Sequence, residues 1–297
     1  MLTADSKQKP FRVKTMLYDI MIISAMALLI VAASTKIMAQ GNLLLTPRRV
    51  VFEGAKKSMD LNLANTGKDT ARYVISIVRL RMTDDGGFES INEPDSGQLF
   101  ADPYLRFFPR SVTLGPNEAQ VVKIQLTKTN ELKPGEYRSH VYFRAVPNIK
   151  PLGEEEAPKD TTSISVKLTP VFGITIPVII RVGESTTKVS LTDLAFQMIN
   201  DTTPSFKMTF NRTGNFSVYG DVAVNYVSPE GKTTQVGLIK GLAVYSPNKL
   251  RRFQFDLVKA PGVNYHKGKL IVEFSTQAEP LYATGIKLES FPASIDL

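Results

Sequence analysis

The sequence predicts an all-β chain, two β-sandwiches in tandem behind an N-terminal segment that is not part of the fold. Three observations carry this. From residue 42 onward apolar and polar residues alternate with period two in run after run. The runs are short, recur every ~8–12 residues and are separated by turn residues, as in sandwich strands that show one face to a core and one to water. No stretch keeps a helical period for more than about two turns. At 297 residues the chain is long enough for two domains of roughly 100–200 residues each.

In chain order, Lys7, Lys9, Arg12 and Lys14 form a basic leader, and the apolar run Ile20 to Ala33 of 14 residues follows. The run is shorter than the ~20 apolar residues of a membrane helix. Ser34-Thr35-Lys36-Ile37-Met38-Ala39 offers a cleavage site, so residues 1–39 read as a secretory signal peptide. Asp19 and the long leader keep an uncleaved inner-membrane anchor open as the alternative, which would be the only route to a membrane.

Met59, Leu61 and Leu63 alternate with Asp60, Asn62 and Ala64, and Asn65-Thr66-Gly67 turns the chain. Arg72 to Met82 is one long β-branched run closed by Asp84-Asp85-Gly86-Gly87; Val121, Ile124 and Leu126 mark a shorter one, and Tyr137 to Val146 follows a Pro134-Gly135 turn. In the second half Phe206, Met208 and Phe210 alternate, as do Phe253, Phe255 and Leu257; Asp221 to Val227 and Lys269 to Phe274 are further strands. A boundary near Arg181-Val182-Gly183-Glu184 gives domains over residues 42–181 and 184–297.

Composition removes much chemistry. There is no cysteine, hence no disulfide, thiol nucleophile or cysteine-ligated metal. The net charge of +8 falls to +5 once the first 39 residues, with five basic and two acidic side chains, are removed. Basic residues cluster only in small groups such as Arg48-Arg49, which does not suit nucleic acid. The two histidines, His140 and His266, lack metal-ligand spacing; Ser139 and His140 are adjacent and point to opposite strand faces, so they are no nucleophile–base pair. His140 reads as a surface or half-buried structural residue. No phosphate loop, dinucleotide fingerprint or nucleophile elbow occurs, so the chain reads as a non-enzyme without cofactor or metal; an exported hydrolase is the weakest alternative.

The most informative segment follows the long irregular stretch Pro147 to Thr162. Every even position from Ile164 to Ile176 is apolar (Ile164, Val166, Leu168, Pro170, Phe172, Ile174, Ile176), while Ser163, Ser165, Lys167 and Thr169 are polar. All the apolar side chains therefore share one sheet face. The segment is either an ordinary strand closing its own core or an edge strand that can be lent to another protein. Pro170, lacking an N–H, favours an edge.

The ordered set Leu45-Thr-Pro-Arg-Arg-Val-Val-Phe-Glu-Gly-Ala-Lys-Lys-Ser-Met59, Leu61-Asn-Leu-Ala-Asn65, Ala101-Asp-Pro, Phe108-Pro109-Arg110, Leu114-Gly-Pro116, Gly135-Glu-Tyr-Arg-Ser139 and Val141-Tyr-Phe-Arg-Ala-Val-Pro147 resembles the periplasmic pilus-assembly (PapD-like) chaperones, as a divergent member. The match covers residues 42–181; residues 184–297 agree only in style.

The resemblance implies two immunoglobulin-like sandwiches, export to the periplasm, and a pilus or fimbrial-type subunit as partner, with an outer-membrane usher as a further one. It implies donor-strand complementation without ATP, in which an edge strand fills the groove of a subunit lacking its own last strand. Ile164, Val166 and Leu168 would enter the groove, with Phe172 and Ile174 facing the chaperone's own core. Arg49, three residues before Phe52, matches the arginine that anchors the subunit's C-terminal carboxylate, a role that suits a permanently charged bidentate donor. The family's companion lysine is missing: its place falls on Pro177 or Thr175. The family's buried basic–acidic pair falls near Lys123 and Arg138, with Glu136 close by in sequence. The missing lysine supports the alternative of a structural or adhesive two-domain surface protein that does not cap clients.

Overall fold

The structure, a computed structural model, describes residues 43–147, 170–276 and 290–297. Its strands up to Val182 build two packed sheets. β1 (Leu43–Thr46) lies in the first sheet and β2 (Val50–Phe52) in the second, so the chain changes sheets across Pro47 to Arg49. β3 (Ser58–Asn65) and β4 (Ala71–Val78) follow, then a separate ribbon of β5 (Leu80–Met82) and β6 (Phe88–Ser90). β7 (Leu105–Phe108), β8 (Ser111–Leu114), β9 (Ala119–Leu126), β10 (Gly135–Val146) and β11 (Gly173–Val182) complete this half. The orders are β1-β3-β9-β7 and β2-β11-β10-β4-β8.

The alternation in β3 behaves as its sequence requires: Met59, Leu61 and Leu63 point inward while Ser58, Asp60 and Asn62 are exposed. They meet Val122, Ile124, Leu114, Phe143 and Val141 in one core. Burying each such side chain contributes about 1.5–3 kcal/mol. On β9 it is Val122 that enters the core, whereas Val121 stays 45% exposed. The run Arg72 to Met82 is not one strand. It breaks at Arg79, whose guanidinium is drawn to Asp102 (Nε–Oδ1 3.1 Å, Nη2–Oδ2 2.8 Å), and the chain beyond leaves the sheet to form the β5–β6 ribbon.

The second half contains β12 (Lys188–Ile199), β13 (Thr203–Thr213), β14 (Val218–Val227), β15 (Thr233–Val244), β16 (Leu250–Asp256), β17 (Lys269–Thr276) and β18 (Ser290–Asp296). They form sheets β12-β13-β16 and β15-β14-β17-β18 around Phe206, Met208, Phe210, Val222, Val224, Val272 and Phe274. The expected fold class, all-β with two sandwiches in tandem, is the one found. This second sandwich hides its edges. Val258 N, just past β16, donates to Val236 O of β15 at 2.7 Å, and β12 packs on β18.

β11 is the exception. It pairs with β10 along its whole length, from Gly173 with Arg144 to Val182 with Gly135, but with β2 only at Val178 to Ile180, in parallel. Ala145 N donates to Phe172 O at 2.9 Å, so even-numbered residues of this segment turn their backbone groups to β10 and odd-numbered ones to the opposite side. Among the described residues no strand faces the odd side at Gly173, Thr175 and Pro177.

Candidate functional site

β10 directs Tyr137, Val141, Phe143 and Ala145 into the first core, so alternation sends Glu136, Arg138 and His140 to the opposite face. Cross-strand register then lays out three rows on that face. His140 stands opposite Pro177, Arg138 opposite Ile179 and in turn Val51, and Glu136 opposite Arg181. Arg49, one residue before β2, continues the first row, level with Pro177. The second sandwich covers this grid: Val51, Met82 and Ile179 form an apolar cluster with Ala243 and Tyr245, with Tyr219 beside it.

The grid is rich in positive charge. Arg49 is only 6% exposed; its Nη2 donates to Ser217 Oγ at 3.5 Å, and its Cζ lies 4.7 Å from the Tyr219 ring centroid and 5.6 Å from that of Tyr245. It is buried in the junction between the sandwiches. Arg138 is 2% exposed and stacks on Tyr245 at 4.3 Å. Its Nη2 reaches Leu80 O and Ser246 O only at 3.4 and 3.5 Å, and its Nε and Nη1 are buried without a hydrogen-bond partner. Burial pulls its pKa down to about 10.

Glu136 is the carboxylate that answers these cations. Its Oε2 accepts from Arg181 Nε at 3.1 Å, and Arg181 Nη1 also lies 3.8 Å from Glu53. Burial raises its pKa, but Arg181, Arg49 and Ser217 outweigh that and hold it below the usual carboxylate value. The buried ion pair is thus Glu136–Arg181, not one built on Lys123 or on Arg138. Lys123 instead meets Asp60 at 3.5 Å with both side chains 54% exposed, a pair that contributes little.

His140 departs from its reading as a surface or half-buried residue. It is 3% exposed, edge-on to Phe88 (5.5 Å between centroids) and Tyr245 (6.4 Å), and burial with the Arg138 charge lowers its pKa to about 3. Ser139, on the other face, accepts from Ala101 N and Asp102 N and donates to Asp102 Oδ1 at 2.9 Å, far from any role with its neighbour. Among the described residues no group of three or more His, Cys, Asp or Glu could hold a metal.

Ile164, Val166 and Leu168 lie outside the described residues, as does the segment 1–39. Phe172 corrects an expectation. It is 48% exposed rather than part of the core, because the sandwich closes at Ile174, which packs against the core, and Ile176, which is 3% exposed. Tyr142 lies over the backbone of Gly173, where any side chain would collide with its ring. At Pro177 and Thr175, the places of the missing lysine, no cation arrives. Arg138, which sequence reading considered only as part of an ion pair, stands in the adjoining row instead; the even spacing of Glu136, Arg138 and His140 was the available sign.

No family model matches the sequence, and no curated protein matches it. Solved structures with similar chains include the YadV chaperone (13% identity, 86% of this chain and 100% of that chain, TM-score 0.41). The CupB2 chaperone of Pseudomonas aeruginosa is 14% identical (85% and 98% covered, TM-score 0.39). A chain of the CsuC–CsuE chaperone–tip subunit complex of Acinetobacter baumannii is 12% identical (84% and 97% covered, TM-score 0.41).

Proposed function

We propose that this protein is an ATP-independent chaperone of the periplasm that binds and caps pilus- or fimbria-type subunits by lending them the edge of β11. One observation carries the reading: among the described residues no strand pairs with the edge of β11 at Gly173, Thr175 and Pro177, which runs up to the level of Arg49. In the second sandwich β12 packs on β18, and Val258 N, just past β16, reaches Val236 O of β15, the kind of cover by which proteins avoid edge-to-edge aggregation. An open edge kept on one strand suits strand addition, where main-chain bonds give affinity and alternate side chains give specificity.

The direction of an added strand follows from what ends the edge. Pro177 offers no N–H and β2 occupies the positions beyond it, so the added strand stops there. Beside that end lies Arg49, one residue before β2 and level with Pro177, whose charge attracts a carboxylate and repels an ammonium. A strand parallel to β11, ending in its free C-terminus, is the occupant that fits. In the sequence the apolar alternation that includes Phe172 also takes in Ile164, Val166 and Leu168, the residues this reading assigns to the groove of the subunit. The ordered motifs of residues 42–181 agree with this role.

The test is a periplasmic pull-down of tagged wild type beside Leu168→Asp, with mass spectrometry of what co-purifies. A charge forced into an apolar groove costs several kcal/mol, enough to release a client. A small β-rich subunit that binds wild type and is lost with a folded Leu168→Asp supports the reading. Identical captures by both proteins, or none, would replace it with a structural or adhesive surface protein.

A further inference from the structure

Gly173 opens β11 in ordinary strand backbone: it is not among the glycines with positive φ, so no left-handed turn calls for a glycine there. Glycine weakens a strand, and its place within one marks a close approach by another group. The group that approaches is Tyr142. A Cβ at residue 173 would lie 2.5 Å from the Tyr142 hydroxyl oxygen and 2.6 Å from its Cζ, so the phenol end fills the space where a side chain of residue 173 would stand. The ring arrives there from β10. Tyr142 pairs with Thr175, which makes Gly173 its diagonal neighbour, within reach of an aromatic side chain. The Tyr142 side chain is half-buried, while Gly173 and Arg144, directly opposite it on β10, are exposed.

Gly173 belongs to the run of β11 that no strand pairs among the described residues. A strand added along that run would lie ~4.8 Å away, with one residue level with Gly173 on the face that carries Tyr142. That residue would find no side chain on Gly173 itself and would meet the phenol instead. We propose that Tyr142 is a specificity-determining residue of the β11 edge: reaching across Gly173, it supplies the side chain this edge lacks and contacts one residue of the added strand through its hydroxyl. This rests on the strand-addition reading and deepens it by naming what the added strand carries at that level. Arg144 stands in the row of Gly173 and offers only donors, and the phenol can donate as well. Together they select a side chain with an acceptor oxygen, such as Asn, Gln, Ser or Thr, over an apolar one of similar size.

The probe is a peptide with the C-terminal sequence of the subunit captured above, together with its single-alanine variants, titrated by calorimetry into wild type, Tyr142→Phe and Gly173→Ala. Tyr142→Phe keeps the ring and removes only the hydroxyl. With wild type, alanine at one acceptor-bearing peptide position should weaken binding by about threefold to tenfold, the size of one hydrogen bond. With Tyr142→Phe the same alanine should cost little, so that the two changes couple at that position and at no other. Gly173→Ala, which drives the phenol from its place, should erase the same preference, yet be harmless to binding when combined with Tyr142→Ala. A tyrosine that merely shields the backbone would weaken every peptide variant alike. Uniform weakening, or no coupled position at all, therefore overturns the role of Tyr142. If that happens while Leu168→Asp abolishes peptide binding, strand addition survives and the Tyr142 contact alone is wrong; if the peptide does not bind wild type, both fall.

Discussion

The Glu136 carboxylate of β10 and the Ser217 hydroxyl of the second sandwich lie 2.8 Å apart, and the same oxygen also takes the Ser217 N–H at 2.9 Å. With Arg181 at 3.1 Å on one side and Ser246 at 3.1 Å on the other oxygen, one fully buried side chain ties both sandwiches together. The β5–β6 ribbon adds a second tie. Asn248 Nδ2 donates to Met82 O at 2.8 Å, and Arg252 N donates to Asp84 O at 2.6 Å.

Replacing Glu136 with Gln should therefore cost more than one hydrogen bond. It leaves Arg181 with only the 3.8 Å contact to the half-exposed Glu53, and breaking a buried pair on one side costs about 3–5 kcal/mol. Urea denaturation of Glu136→Gln should show a loss in that range, and small-angle scattering should show a wider spread of angles between the sandwiches. A variant as stable as wild type would mean that Glu136 does not neutralise the grid.

Acid should weaken the same junction. The pKa of His140 is lowered in the folded state to about 3, so unfolded chains take up a proton that folded ones refuse. Its contribution is fully present above pH 6.5 and is lost as the pH falls from 6.5 toward 3, at about 1.4 kcal/mol per pH unit. Glu136, whose folded pKa is also lowered, adds to the loss only below its ordinary value of 4.5. Between pH 6.5 and 5 the decline should belong to His140 and amount to about 2 kcal/mol. His140→Phe should flatten that interval, and a wild-type profile already flat there would show that His140 charges freely in the folded protein.

How far the sequence could be read depended on whether the cause was local. Period-two alternation fixes which face of β3 or β13 is apolar, and Asn65-Thr66-Gly67 is visibly a turn. The further work of Asn65 was hidden, because its Nδ2 donates to Leu114 O and Gly115 O, about fifty residues away, at 3.0 Å each. The break at Arg79 was hidden too, for Arg79 is held there by Asp102, 23 residues away. Arg49 could be singled out by its motif, but its burial under Tyr219 and Tyr245 depends on how a second domain docks, which one-dimensional spacing does not carry. Arg138 could be placed in sequence only as a member of a buried basic–acidic pair, because its stacking on Tyr245 depends on residues more than a hundred positions away.

Where the first sandwich ends is set by a two-residue step that mutation can measure. Phe172, Ile174 and Ile176 share one face of β11 and its lead-in, yet Phe172 is 48% exposed, Ile174 half-buried and Ile176 3% exposed. An aspartate at 172 meets water, so Phe172→Asp should change unfolding stability by no more than about 0.5 kcal/mol. At 176 the same charge would be enclosed by the first core, and Ile176→Asp should cost several kcal/mol or prevent folding. Under the proposed strand addition, client capture should fall at position 172 while stability does not. A large exposed aromatic on a backbone already held by the Ala145–Phe172 bond is a pre-ordered anchor, and removing it should weaken capture by about tenfold or more while the protein stays folded. If Phe172→Asp proves as destabilising as Ile176→Asp, the sandwich extends further than Ile174 and Phe172 belongs to its core.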